Sequence, residues 1–196
     1  MPAFAVFFRK ARRSLVPLFA AALLLGAPRA YADDLADEAD LQFQLGATRY
    51  GAGDYQGALE HFLASNRLVP NRNVSFNIAR SFEKLKQYPA AFRYYTQALE
   101  GEKDPETRAR VEGALETVKP NVAVLKIVTN PPGATVFIDR RDLGPRGTSP
   151  RLLGLAPGKY KVIVELPNYT SAESAEIDAP LAQETVVELT LQPKLE

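Results

Sequence analysis

YQGALEHFLAS at residues 55–65 and YPAAFRYYTQA at residues 88–98 are two copies of one pattern. Tyr55, Ala58, Phe62 and Ser65 align with Tyr88, Ala91, Tyr95 and Ala98 at a shift of 33 residues, and Gly46 aligns with Ala79 on the same shift. Apolar and small residues spaced by three and four mark one face of a helix. The same period runs from Leu35 to about Val118, through Leu41, Leu45, Ile78 and Phe82. Helix breakers punctuate it at Gly51, Gly53, Pro70, Pro89, Gly101 and Pro105. Small side chains at Gly46, Ala58, Ala79 and Ala91 let helices approach closely, while aromatics fill the space between them.

A period near 34 with two helices per unit resembles the tetratricopeptide repeat. The first copy carries Leu45-Gly46, Gly53, Tyr55, Ala58, Phe62 and Pro70; the second carries Ile78-Ala79, Phe82, Tyr88, Ala91, Tyr95, Ala98 and Leu99. Gln42 and Ser75 depart from the large residue expected early in the first helix, and the second copy lacks the terminal proline. A further helix follows, with Asp104 as N-cap, Pro105 at its first position, and Val111, Ala114, Leu115 and Val118 as its apolar stripe up to Pro120. It reads as a cap over the last repeat, or as the first half of a worn third one. The resemblance implies a concave groove into which Phe43, Ala47, Tyr50, Asn73, Phe76, Arg80 and Lys84 point. Such a groove suits a protein or peptide partner. Equally, the acidic N-terminal helix or the following domain could cover its aromatics. Asn77 stands at the central asparagine of the family's carboxylate clamp, but Phe43 and Ala47 replace its first Lys and Asn, so the clamp pattern is not met.

From Val122 the period changes to two. Val136 and Ile138 alternate with Thr135, Phe137 and Asp139; Tyr160, Val162 and Val164 alternate with Lys161, Ile163 and Glu165; Val187, Leu189 and Leu191 close the pattern. Pro/Gly clusters at 130–133, 144–150 and 156–158, and Pro167-Asn168, separate the runs. Short alternating strands between such turns predict a β-sandwich. The fold class expected is α+β with two domains, helical over 33–119 and a sandwich over 122–192.

The sandwich half resembles the PEGA domain, a small prealbumin-like module of prokaryotic envelope and surface proteins. Ile127, Thr129, Pro132-Gly133-Ala134, Val136, Ile138-Asp139, Gly144, Thr148, Pro150, Leu155, Pro157-Gly158, Tyr160, Val162, Val164 and Tyr169 carry the resemblance. Three positions depart from it. Arg140 replaces the glycine usual after the aspartate, Pro145-Arg146-Gly147 lengthens the next loop, and Asn168 replaces a glycine, a change that asparagine's tolerance of positive φ makes mild.

The chain opens with a basic start at Arg9, Lys10, Arg12 and Arg13, an apolar run from Leu15 to Ala27, and the small-x-small cut site Ala30-Tyr31-Ala32 ahead of Asp33 and Asp34. That order predicts a secretory signal over 1–32, too short for an ordinary span of about 20 residues, with an uncleaved anchor as the alternative. Arg12-Arg13-Ser14-Leu15-Val16 meets a minimal twin-arginine pattern, although the general secretory route fits as well. Five of the 24 basic residues and none of the 23 acidic ones lie in this segment, so the remainder holds 19 basic against 23 acidic, a net charge of −4. A mildly acidic chain disfavours nucleic acid as a partner. With no cysteine, thiolate metal sites, Cys nucleophiles, disulfides and a lipoprotein anchor are excluded.

Catalytic constellations are absent from the pattern. The single histidine, His61, falls mid-helix with no second His or Cys to complete a metal or nucleophile set. Gly51, Gly53 and Gly57 lack a preceding strand and a Lys-Ser/Thr end, so they are no phosphate loop. The acidic run Asp33, Asp34, Asp37, Glu38 and Asp40 reads as a solvated first helix or a frayed tail, and it lacks the Gly-turned spacing of a calcium loop. Arg140, Arg141, Arg146 and Arg151 gather on and beside the lengthened sandwich loop, a local reversal of sign suited to carboxylate or phosphate on an envelope polysaccharide or peptidoglycan. Asp139 and Asp142 are near enough to neutralise part of it. The expectation is a non-enzymatic, exported adaptor without cofactor or metal. It has no transmembrane span once the signal is cleaved, a partner protein or peptide in the groove, and a sandwich contacting the envelope. The alternative is a glycan- or peptidoglycan-binding module whose repeats serve oligomerisation.

Overall fold

The computed structural model describes residues 27–194, with side chains from Asp34 onward. Most of the expected signal lies outside the described residues; its cut site, Ala30 and Ala32, falls within the first helix. Five helices come first: α1 (Ala27–Gly51), α2 (Tyr55–Leu68), α3 (Arg72–Lys84), α4 (Tyr88–Leu99) and α5 (Pro105–Val118). Eight strands follow: β1 (Ala123–Asn130), β2 (Thr135–Ile138), β3 (Arg151–Leu155), β4 (Gly158–Tyr160), β5 (Val162–Glu165), β6 (Ala172–Glu173), β7 (Ile177–Ala179) and β8 (Glu184–Thr190). This is the α+β order that the two periodicities predict. Among the described residues, no helix is long and apolar enough to cross a membrane.

Local chemistry sets the helix ends. Gly53 takes φ +80° in the turn after α1. The carboxylates of Asp54 and Asp104 accept N–H bonds from Gly57 at 2.9 Å and Thr107 at 2.8 Å, satisfying donors that a helix start leaves free. Asn71 caps α3 in the same way. The internal repeat holds at the level of packing: Ala58 and Ala91, Phe62 and Tyr95, and Ser65 and Ala98 are all buried with at most 2% exposure. Gly46 explains why that position stays small, since a Cβ there would lie 2.7 Å from the Phe62 ring. Full burial of Phe62 or Phe92 is worth about 1.5–3 kcal/mol each.

The β half forms three small sheets, ordered β3-β1-β8, β2-β5-β6 and β4-β7. β1 runs antiparallel to β3 and parallel to β8. The stretch from Tyr160 to Val164, with its single alternating pattern, is two strands in the structure. β4 pairs with β7, the chain changes sheet at Lys161, and β5 lies between β2 and β6. Asp139 makes that junction by accepting the Lys161 N–H on its carboxylate at 2.9 Å and donating its own N–H to the Lys161 carbonyl at 2.7 Å. Asp139 itself takes φ +61°, while Arg140 is extended at φ −144°. The missing glycine at 140 therefore imposes no backbone strain, because the left-handed residue is the aspartate before it. Asn168 takes φ +67°, the conformation asparagine tolerates.

β1 joins the halves. Ala123, Leu125 and Ile127 face a core that also holds Val136, Val162 and Val164. Val122 and Val124 face the other way, into a core with Phe92, Tyr95, Val111 and Val118, against which Leu152 also packs. The alternation of one strand thus serves two cores, and the helices and sandwich are continuous through it.

Candidate binding face and the arginine sites

Four side chains from three helices form a ladder on one face of the helical half. The Arg80 guanidinium of α3 lies 4.7 Å from the Tyr50 ring centroid on α1 and 5.9 Å from that of Phe76 on its own helix. Arg110 of α5 lies 5.6 Å from the Phe76 ring centroid as well. The order Tyr50, Arg80, Phe76, Arg110 therefore crosses α1, α3 and α5. Stacking on the negative faces of aromatic rings holds each guanidinium without a carboxylate. Among the described residues, neither Arg80 nor Arg110 forms an ion pair. Tyr50 Oη is buried and lacks a hydrogen-bond partner. Below the ladder, Tyr95 donates its hydroxyl to Glu83 at 2.6 Å; burial first, and then that carboxylate, push its phenol well above the ordinary range.

Other residues expected in the groove divide. Tyr50, Phe76 and Arg80 come together as the repeat geometry implies, and Lys84 is exposed at the end of α3. Phe43 does not join them: it turns onto Phe62 of α2, ring centroids 5.5 Å apart, because Gly46 one turn on leaves that side of α1 open to α2. Phe43 and Asn73 instead line a separate cavity of about 300 Å³ that also includes Asp37 and Asp40. Asn77 spends its amide within α3, donating to the Asn73 carbonyl at 2.8 Å. Arg110 is missing from the sequence-based groove, yet its signal was there: it follows Asn77 by 33 residues, one repeat shift further on.

The other aromatics and His61 serve packing. His61 Nδ1 and Gln42 Oε1 lie 2.8 Å apart, tying α2 to α1; Gln42 gives its own N–H to Glu38, so the oxygen accepts and the ring nitrogen donates. Gln42, a departure from the repeat pattern, is thus the partner that places the histidine.

The four loop arginines do not form one patch. Arg140 pairs with Asp142 at 2.6 Å. Arg141 reaches Glu165 at 2.5 Å and Glu173 at 3.3 Å, and these carboxylates, Glu165 foremost, raise its pKa further. Lys161 also pairs with Glu173 and, ahead of Arg141, holds that carboxyl below its ordinary value. Arg151 turns toward α4 and pairs with Glu100. The expected common anion surface is therefore corrected: the strand geometry brings Arg140 and Arg141 to acidic partners on one side and sends Arg146 and Arg151 to the helix seam. Sequence distance alone could not show that Glu100, Glu165 and Glu173 would meet these arginines.

Residues 122–195 match the family model of the PEGA domain. No curated protein matches the chain. The C-terminal half is thus similar to a module of the periplasmic and extracellular type, and its matched span opens at the residue where the alternating pattern begins.

Proposed function

We propose that the protein is a non-enzymatic adaptor acting outside the cytoplasm, whose tetratricopeptide-like helices hold an acidic peptide segment of a partner protein while the sandwich contacts the envelope. The observation that carries this reading is the Tyr50-Arg80-Phe76-Arg110 ladder, with two guanidiniums that have no carboxylate partner among the described residues. Stacked arginines present their N–H edges outward, where they can fork to carboxylates. The sandwich packs against α4 through Phe92 and Gly154, and Arg80 is exposed. The expected signal and the PEGA match favour an extracytoplasmic site of action.

Photo-crosslinking in intact cells tests the reading. A crosslinking residue in place of Lys84, beside the ladder, should capture one discrete partner through an Asp/Glu-rich segment. The same residue in place of Lys159, on the sandwich, should not capture that segment. Loss of the Lys84 adduct in Arg80→Gln/Arg110→Gln supports the groove; an adduct unchanged by that double substitution refutes it.

A further inference from the structure

The seam between α4 and β3 holds a second group of arginines that the adaptor reading does not use. Arg93 of α4, Arg146 of the lengthened loop and Arg151 of β3 line a cavity of about 500 Å³ together with Gln97, Glu100 and Thr148. The same three arginines border an adjoining cavity of about 200 Å³ whose other walls include Pro89, Leu152 and Leu155. Glu100 is the one acidic residue lining either space, and it is already taken by Arg151. Arg151 Nε is buried without a hydrogen-bond partner. Among the described residues, Arg93 and Arg146 have no ion-pair partner at all; Arg93 lies over the Tyr94 ring at 4.9 Å. Three guanidiniums against one carboxylate leave a local charge of about +2 in a chain whose described part is acidic overall.

Backbone features keep this space open. Gly147 takes φ +112°, and a Cβ there would come within 2.9 Å of Arg151 Nε. Gly147 also accepts the Val136 N–H at 2.8 Å, and Arg146 donates its N–H to the Val136 carbonyl at 2.7 Å. The loop is thereby stitched to β2, so Arg146 is held on a supported backbone rather than a free turn. The lining combines apolar residues with three arginines, the mix of a small-ligand site.

We infer that this seam binds a small ligand carrying an oxyanion group, phosphate or carboxylate, with the anion between Arg93, Arg146 and Arg151 and any apolar portion against Leu152 and Leu155. An anion there relieves the repulsion among the three cations and takes up their free N–H donors. It also touches a helix and a strand from opposite halves, so binding should stiffen their junction and raise the melting temperature.

Isothermal titration calorimetry on the whole chain tests this, using pyrophosphate and citrate as probes at fixed ionic strength. Saturable 1:1 binding of either supports the inference; tighter pyrophosphate assigns a phosphate ligand, tighter citrate a carboxylate one. Arg93→Gln and Arg146→Gln, both at exposed positions, should each weaken binding about tenfold, the cost of one charge-assisted bond. Arg140→Gln, in the same loop but paired with Asp142, should leave it unchanged. Absence of binding by both probes overturns the inference. So does equal binding by the Arg93 and Arg146 variants, or equal weakening by the Arg140 variant. The ladder residues are untouched by these substitutions, so this result stands apart from that of the groove.

Discussion

Gly154 of β3 lies so close under Phe92 of α4 that a Cβ on it would fall 2.4 Å from the ring's Cγ. Phe92 is fully buried and has no room to yield, so the contact fixes how closely helix and sheet approach. Gly154→Ala should therefore overpack the seam and cost about 1–3 kcal/mol. In a chain of this size that lowers the melting temperature by about 2–4 °C per kcal/mol. Circular dichroism at helical wavelengths and infrared absorption in the β-sheet amide I band should show both signals shifting together. A shift confined to the helical signal would mean that the halves melt separately.

β1 extends the same logic. A fragment of residues 33–120 lacks Val122, Val124 and Leu152, which complete the core around Phe92 and Val118. It should melt well below the whole of 33–196 or fail to melt cooperatively, since two repeats fall short of the usual minimum for a helical array. Equal melting temperatures in calorimetry would show that β1 contributes nothing to the helical core.

Acid stability should depend on the helix caps. The backbone N–H of Thr107, and then its side chain, hold the Asp104 carboxyl below its ordinary value of 3.8. A carboxyl with a depressed folded pKa stabilises the fold above its unfolded pKa, and that contribution disappears as pH falls through the folded value. Asp104→Asn preserves the cap, because asparagine is as good an N-cap as aspartate. Its melting temperature should match wild type at pH 7 and fall less steeply than wild type between pH 4 and pH 2. Parallel acid limbs in a thermal series would remove Asp104 from the acid response.

Much of the architecture is legible in the sequence because period is a one-dimensional signal. The shift of 33 residues maps α2 onto α4 with matching burial, and the change to period two at Val122 falls where β1 begins. What escaped were facts that depend on distant segments meeting outside the repeat pattern. The run from Tyr160 to Val164 reads as one strand, since nothing local announces the change of sheet that Asp139, 22 residues earlier, imposes at Lys161. Phe43 sits at a groove position of the repeat, but the space above Gly46 drew it to Phe62. Arg141 and Arg151 read as part of a patch because their acidic partners come from 24 to 51 residues away, whereas Asp142, the partner of Arg140, stands two residues along. Arg93 carried no sequence signal at all, being one polar residue on the outer face of α4. Arg110 did, through the repeat period.

The ladder is tested most directly by its preference for peptides. Peptide-display selection on the purified chain should enrich acidic sequences, and fluorescence anisotropy of an enriched peptide should show binding that weakens with salt, as exposed charge pairs do within about 8–10 Å of screening. Arg80→Gln/Arg110→Gln should weaken that binding by at least about a hundredfold, the loss of two charge-assisted contacts, with the melting temperature nearly unchanged. Selection that returns no acidic preference, or peptides bound equally by wild type and the double variant, would contradict the assignment of this face to a partner.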